Sequence, residues 1–150
     1  MKAVIQRVVS GSVVIEGNAK KSIGAGLVVL LGISYNDTEN DAVRLAEKIV
    51  KMRIFSDADG KMNLSVLDVQ GDVLVISQFT LCADIKKGNR PSFNLAARPD
   101  VAVPLYEKFI NVFSEKLGKN VVTGKFGASM LVDIQNDGPV TIVIDTQELK

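Results

Sequence analysis

Two short segments carry the side chains that could do chemistry. Ser77-Gln78-Phe79-Thr80-Leu81 ends the apolar run that begins at Val73, and Asn136-Asp137-Gly138-Pro139-Val140-Thr141 leads into another. Both set hydroxyl and amide groups where a strand meets a loop. Ser77, Thr80 and Cys82 are nucleophile types, yet the chain contains no histidine, which removes every Ser–His and Cys–His pair. A hydroxyl with no base beside it stays protonated and weak at neutral pH. Taken singly, Ser77 and Thr80 read as hydroxyls that satisfy strand-end backbone groups, and Cys82 as a small buried hydrophobe.

Other chemistries fall away on spacing. Asp57-Ala58-Asp59-Gly60-Lys61 has the look of a calcium loop, but an EF-hand needs a third oxygen ligand before the glycine and a glutamate six residues after it, where this chain has Val66. The Asp-Gly step is better read as a hairpin turn. Gly24-Ala25-Gly26 lacks the third glycine of a dinucleotide fingerprint and precedes a strand-like run. There is no Gly-Lys-Ser/Thr phosphate loop. One cysteine and no histidine exclude zinc in its usual ligand sets. A magnesium site built from carboxylates stays open, but nothing clusters to suggest one, and neither a metal nor a cofactor is expected.

The elements that must hold these segments come from composition and period. The chain of 150 residues reads as one domain over 1–150, large enough to bury its own core. Its 47% hydrophobic content fits a strand-rich core or a surface that becomes core in an oligomer. With 18 basic and 17 acidic residues the net charge is +1, so any contact with a nucleic acid is small and local. No apolar run approaches the ~20 residues of a membrane span. Met1–Arg7 carries charge too early for a signal peptide. A lone cysteine fits a reducing compartment. The cytoplasm is expected, with no membrane association.

Ala3–Val9 and Ser12–Glu16 have the length and β-branched density of strands, with Ser10-Gly11 as a turn or bulge between them. Gly17-Asn18 gives a turn, and Gly24-Ala25-Gly26 another before the buried run Leu27–Ile33. From Thr38 the period becomes helical: Ala42, Leu45, Ala46, Ile49 and Met52 share a face. Arg53-Ile54-Phe55 is a short strand, and Val73–Phe79 a strand buried on both faces. The polar segment 83–100 is too long for an ordinary connector, which marks it as functional. A second helix spans about Asp100–Lys116 and stops at Gly118, and Pro104 is tolerable only near its start. Two strands close the chain, Met130–Gln135 and Val140–Ile144, joined at Asn136–Pro139. The fold expected is mixed α/β: a β-rich single domain with two helices packed on one sheet face.

Ser77-Gln78-Phe79-Thr80-Leu81 and Asn136–Thr141 match the two signature motifs of the D-aminoacyl-tRNA deacylases in full, including the Gly-Pro step of the second. The resemblance spans the chain, through Ala3-Val4-Ile5-Gln6-Arg7-Val8, Arg53-Ile54-Phe55-Ser56-Asp57 and Arg90-Pro91-Ser92-Phe93. Each match alone is moderately specific; all of them in order are strongly so.

The resemblance implies sheets forming a barrel-like core and an enzyme that hydrolyses the ester of D-aminoacyl-tRNA. It implies that Gln78, Phe79 and Thr80 line the pocket as the catalytic segment, their backbone amides facing the ester carbonyl, with Ser77 beside them. It implies that Gly138-Pro139, cis in the family, enters the pocket of a partner subunit in a homodimer and, with Val140 and Thr141, shapes the substrate site. Phe93 then stacks on the terminal adenine or anchors its loop, with the anchor favoured, and Lys86, Lys87, Arg90 and Arg98 either meet the acceptor end of tRNA or form an ordinary solvated charged loop. The rival reading is a non-catalytic RNA-binding β-rich homodimer. It calls for basic and aromatic residues interleaved on one face, but aromatics are 5% of the chain and mostly spaced as core.

Overall fold

The computed structural model describes residues 1–149. Along the chain it places β1 (Lys2–Ile15), β2 (Lys21–Ile23), β3 (Gly26–Gly32), α1 (Glu39–Lys51), β4 (Phe55–Ser56), β5 (Met62–Leu64), β6 (Asp72–Ser77), α2 (Pro99–Leu117), β7 (Val122–Thr123) and β8 (Met130–Asp145). β1 organises the rest. Along one edge it pairs antiparallel with β3 and then with β2, and along the other with β8 over nearly its whole length. β6 adds parallel to β3, and β7 parallel to β6. The sheet curls into a nearly closed barrel. Across the gap, Lys21 Nζ of β2 donates to the Thr123 carbonyl of β7 at 2.7 Å.

Alternation along the strands divides the apolar residues between two cores. Leu27, Val29 and Leu31 of β3, with Val73 and Val75 of β6, face the helices. Val28, Leu74 and Ile76 face the barrel interior with Val8 and Val13. Burial on both faces is why β3 and β6 read as unbroken apolar runs rather than alternating ones. Both helices cover the same sheet face: Leu45 and Ile49 of α1 enter one core with Leu105, Phe109 and Phe113 of α2. Phe113 is fully buried, and truncating such a ring to alanine costs about 3–5 kcal/mol.

Local chemistry sets the helix ends. The Asp41 carboxylate accepts from the Thr38 N–H at 2.8 Å and from the Thr38 hydroxyl at 2.9 Å, which fixes the start of α1. α2 opens on Pro99 and ends at Gly118, whose φ of 79° is left-handed. Pro104 lies inside α2, one rung of hydrogen bonding forgone. β4 and β5 form the hairpin expected around Asp57–Gly60, with Asp57 Oδ1 accepting from the Asp59 and Lys61 N–H groups at 2.8 and 3.0 Å.

Four readings of the sequence change, the smallest being that the short strand expected at Arg53–Phe55 lies at Phe55–Ser56. The first two strands are one 14-residue strand, and the break near Ser10-Gly11 is a register shift within it. The strand from Val73 stops at Ser77, and Phe79–Cys82 winds into a 3-10 turn. The two C-terminal strands are also one, because both halves of β8 pair with β1 and the Asn136–Pro139 link bulges out of the ladder instead of turning the chain. Among the described residues, no helix is long and apolar enough to cross a membrane.

Candidate active site

β3 and β6 end side by side, with Leu31 opposite Ser77, and a cavity of about 220 Å³ opens where the chain leaves them. Leu31, Ile33 and Ile76 line its base, Phe126 and Met130 its far wall, and Ser77, Gln78 and Phe79 its near wall. None of the residues lining it carries an ionisable side chain. Tyr106 packs on Phe126 with ring centroids 5.7 Å apart, and burial pushes its hydroxyl up to about 12. Among the described residues, no three His, Cys, Asp or Glu side chains converge as metal ligands would.

The near wall is built by the end of a ladder. The Gln78 N–H donates the last rung to the Leu31 carbonyl at 2.7 Å, and the chain then turns, with Leu81 N–H donating to Gln78 O and Ala83 N–H to Thr80 O, both at 3.1 Å. The Gln78 amide expected to face a substrate is thus committed to β3. Phe79 and Thr80 open the turn, and their N–H groups meet no acceptor among the described residues. Gly32 makes the close approach possible, since a Cβ there would lie 2.9 Å from Leu81 Cβ and 3.0 Å from Gln78 O. The Gln78 side chain donates Nε2 to Thr80 Oγ1 at 2.6 Å. Thr80 itself is exposed at the rim.

Phe93 meets Phe79 edge to face, with centroids 5.1 Å apart. This contact anchors the long loop over the turn. Asp84 and Ser92 exchange backbone hydrogen bonds at 2.7 and 2.9 Å, and Ala97 N–H returns to Ile33 O at 2.9 Å. The loop is therefore pinned to the cavity mouth at several points. Lys86, Lys87, Arg90 and Arg98 stand exposed on it and enter none of the ion pairs among the described residues.

The second segment is a bulge in β8. Gln6 pairs with Thr141 and Val8 with Asn136, so Arg7 alone faces residues 137–140. Gly138 and Pro139 project into solvent, and the bond between them is cis. Arg7 Nε holds Asp137 at its carbonyl, 3.2 Å, and at Oδ2, 3.1 Å, while Arg7 Nη1 donates to Ile54 O at 2.8 Å. Val140 turns inward, 8% exposed, and joins the helix-side core. Thr141 faces outward and accepts from Gln6 Nε2 at 3.2 Å.

The two segments do not meet within one chain. Ser77 is level with Ala3 through Leu31, whereas the bulge is level with Arg7, about 13 Å further along the sheet. Neither Gly138 nor Pro139 lines the cavity. Sequence reasoning missed the far wall, Phe126-Gly127-Ala128, a loop whose only signal is one aromatic residue amid polar and small ones. It also missed Arg7, read there as an ordinary strand residue.

Residues 4–145 match the D-Tyr-tRNA(Tyr) deacylase family. Similar proteins include a D-aminoacyl-tRNA deacylase of Thermoanaerobacter sp. (strain X514), 52% identical over 149 residues and 99% of each chain. One from Thermus aquaticus is 55% identical over 148 residues, 99% of this chain and 97% of that one. Among solved structures, one described as c-Myc DNA Unwinding Element Binding Protein superposes with a TM-score of 0.91 at 44% identity, covering 97% of this chain and 98% of its own. Another, described as a probable eukaryotic D-amino acid tRNA deacylase, shares the fold, with a TM-score of 0.83 at 17% identity over 95% of this chain and 97% of that one.

Proposed function

The chain belongs to the D-aminoacyl-tRNA deacylase family and is a hydrolase of D-aminoacyl-tRNA; from that premise we propose that it works with backbone amides and the substrate's own ribose, and that it selects by exclusion. The observation that carries this reading is the pair of unengaged N–H groups on Phe79, which lines a cavity with no ionisable lining, and on Thr80, the residue that follows it. As water attacks the ester carbonyl, the carbonyl oxygen gains negative charge. Each preorganised donor aimed at that oxygen lowers the barrier by about 3 kcal/mol. The vicinal 2′-hydroxyl of the terminal ribose takes part in activating the water, and the 3′-oxygen leaves as the tRNA hydroxyl. An aminoacyl ester is already activated, so positioning and oxyanion stabilisation supply most of what is needed.

Chirality is read by a wall rather than a pocket for the side chain. In a homodimer the exposed Gly138-Pro139 bulge of one protomer reaches the Ser77–Thr80 turn of its partner, and an L-side chain collides with it where a D-side chain or a hydrogen does not. Glycyl-tRNA is then a second substrate. The distance between bulge and cavity within one chain supports completion in trans, as do the exposed apolar side chains Leu131 and Val143 on β8, 69% and 74% exposed. Lys86, Lys87, Arg90 and Arg98 receive the phosphates near the tRNA 3′ end, a contact small enough for a chain of net charge +1. The setting for this work is the cytoplasm.

Incubation with D-Tyr-tRNA and L-Tyr-tRNA tests the reading. Catalytic release of D-tyrosine with the L-ester left intact is expected, from a species with the mass of two chains. A non-catalytic RNA-binding homodimer would bind both and cleave neither.

A further inference from the structure

The bulge that carries Gly138-Pro139 has an open neck. Where Arg7 alone faces residues 137–140, the regular ladder no longer supplies partners to the carbonyls on either side. Asn136 supplies them. Its Nδ2 donates one hydrogen to Arg7 O at 2.9 Å and the other to Val140 O at 3.1 Å. One side-chain amide therefore ties β1 to the far end of the bulge across its base. The orientation of that amide follows from its partners, since two carbonyls demand the NH₂ group.

With Nδ2 so placed, Oδ1 points at Gly138. A Cβ on Gly138 would lie 2.9 Å from Asn136 Oδ1, and the next nearest atoms are Asn136 Cγ at 3.7 Å and Val140 N at 4.0 Å. A side chain at 138 would therefore have to displace the Asn136 amide, and it would meet nothing else as close. The two residues form one device: Asn136 closes the neck, and Gly138 leaves room for it to do so.

We infer that Asn136 is a positioning residue that sets how far Gly138-Pro139 projects, and so determines discrimination between D- and L-aminoacyl esters without touching either. This rests on selection by the bulge, proposed above. A wall that shifts by a fraction of an ångström admits the wrong enantiomer before it loses the right one, because exclusion depends on contact distance more steeply than positioning does.

The test measures kcat/KM for D-Tyr-tRNA and L-Tyr-tRNA in the wild type, Asn136→Ala, Gly138→Ala and the double variant, with thermal unfolding as a check on folding. Asn136→Ala should lower the D/L ratio about tenfold or more, largely through faster L-ester cleavage. Gly138→Ala should do the same by pushing the amide off its two carbonyls. The double variant should be no worse than either single one, because the methyl at 138 then meets open space. If both enantiomers slow in the same proportion, the role of Asn136 is merely structural and the inference fails. Multiplying effects in the double variant also overturn it. If a variant fails to fold, Asn136→Ser, which keeps one donor, must give an intermediate ratio or the inference fails. A wild type that does not distinguish the enantiomers would defeat selection by the bulge itself, and this inference with it. A discriminating wild type whose ratio survives all the substitutions would defeat the inference alone.

Discussion

Gln78 Nε2 lies 2.6 Å from Thr80 Oγ1 and donates to it. The Thr80 hydroxyl is therefore bonded to a proton donor, and a donor cannot take a proton from it. Thr80→Ala should keep kcat/KM for D-Tyr-tRNA within about tenfold of wild type, measured under single-turnover conditions. Loss of about four orders of magnitude, the scale of removing a true nucleophile, would assign the chemistry to Thr80.

No ionisable side chain lines the cavity, and the mechanism proposed above gives the proton transfer to the substrate. A D-aminoacyl-tRNA ending in 2′-deoxyadenosine should be cleaved about a hundredfold or more slowly by the unmodified enzyme, the low end of what a positioned proton-transfer group contributes. Equal rates for the ribose and deoxyribose substrates would remove the 2′-hydroxyl from the mechanism.

Exclusion has no purchase on a hydrogen. Gly-tRNA should be deacylated readily and L-Ala-tRNA far more slowly, by more than the ~1–3 kcal/mol that one methylene is worth in a permissive pocket. Side-by-side rates at one enzyme concentration decide this. An enzyme that leaves Gly-tRNA intact reads the D-side chain positively.

Asp72, at the start of β6, accepts from Lys119 Nζ at 2.8 Å and from the Gly24 N–H at 3.1 Å. The Lys119 bond, then the Gly24 bond, holds its carboxyl below the ordinary value of 3.8. A carboxyl depressed by folding adds stability above its unfolded pKa and loses it as the pH falls through the folded one. Asp72→Asn should thus lower the urea midpoint at pH 7, and the difference should shrink below pH 3.8 and vanish at lower pH. The Asp72 side chain is 44% exposed, so solvent screening holds the effect under about 1 kcal/mol. A difference that persists at the lowest pH would trace to packing instead.

Most of the layered fold was legible because period and burial agree: the β3 and β6 runs, the Thr38 start of α1 and the Gly118 stop of α2 are each set by nearby residues. What misled lay in tertiary pairing. Asn136–Pro139 has the chemistry of a turn, and only the presence of β1 alongside both flanks makes it a bulge. Phe79 continues the apolar run of β6, yet the chain has to leave the sheet once Gln78 makes the last rung with Leu31. The residues β2 and β7 comprise are too few to show a period. At the site, the separation of the two motif segments within one chain was invisible, and so were the Phe126 wall and the commitment of the Gln78 amide, because each depends on elements distant in sequence.

β1 and β8 are the first and last strands of the sheet and pair from Lys2↔Asp145 to Ile15↔Met130. During synthesis the opening strand can recruit β2 and β3 as soon as they emerge, but one whole edge of it waits until more than a hundred further residues have been made. Closing so large a loop comes before the gain from the contacts it brings. The bulge that carries Gly138-Pro139 does not exist until that closure, since Arg7 and Asn136 must be neighbours for it to have a neck. An incomplete chain can thus hold a formed β3–β6 strand end before the bulge exists. The enantiomer selection proposed for that bulge therefore waits on the making of Met130–Asp145 and its pairing with the opening strand.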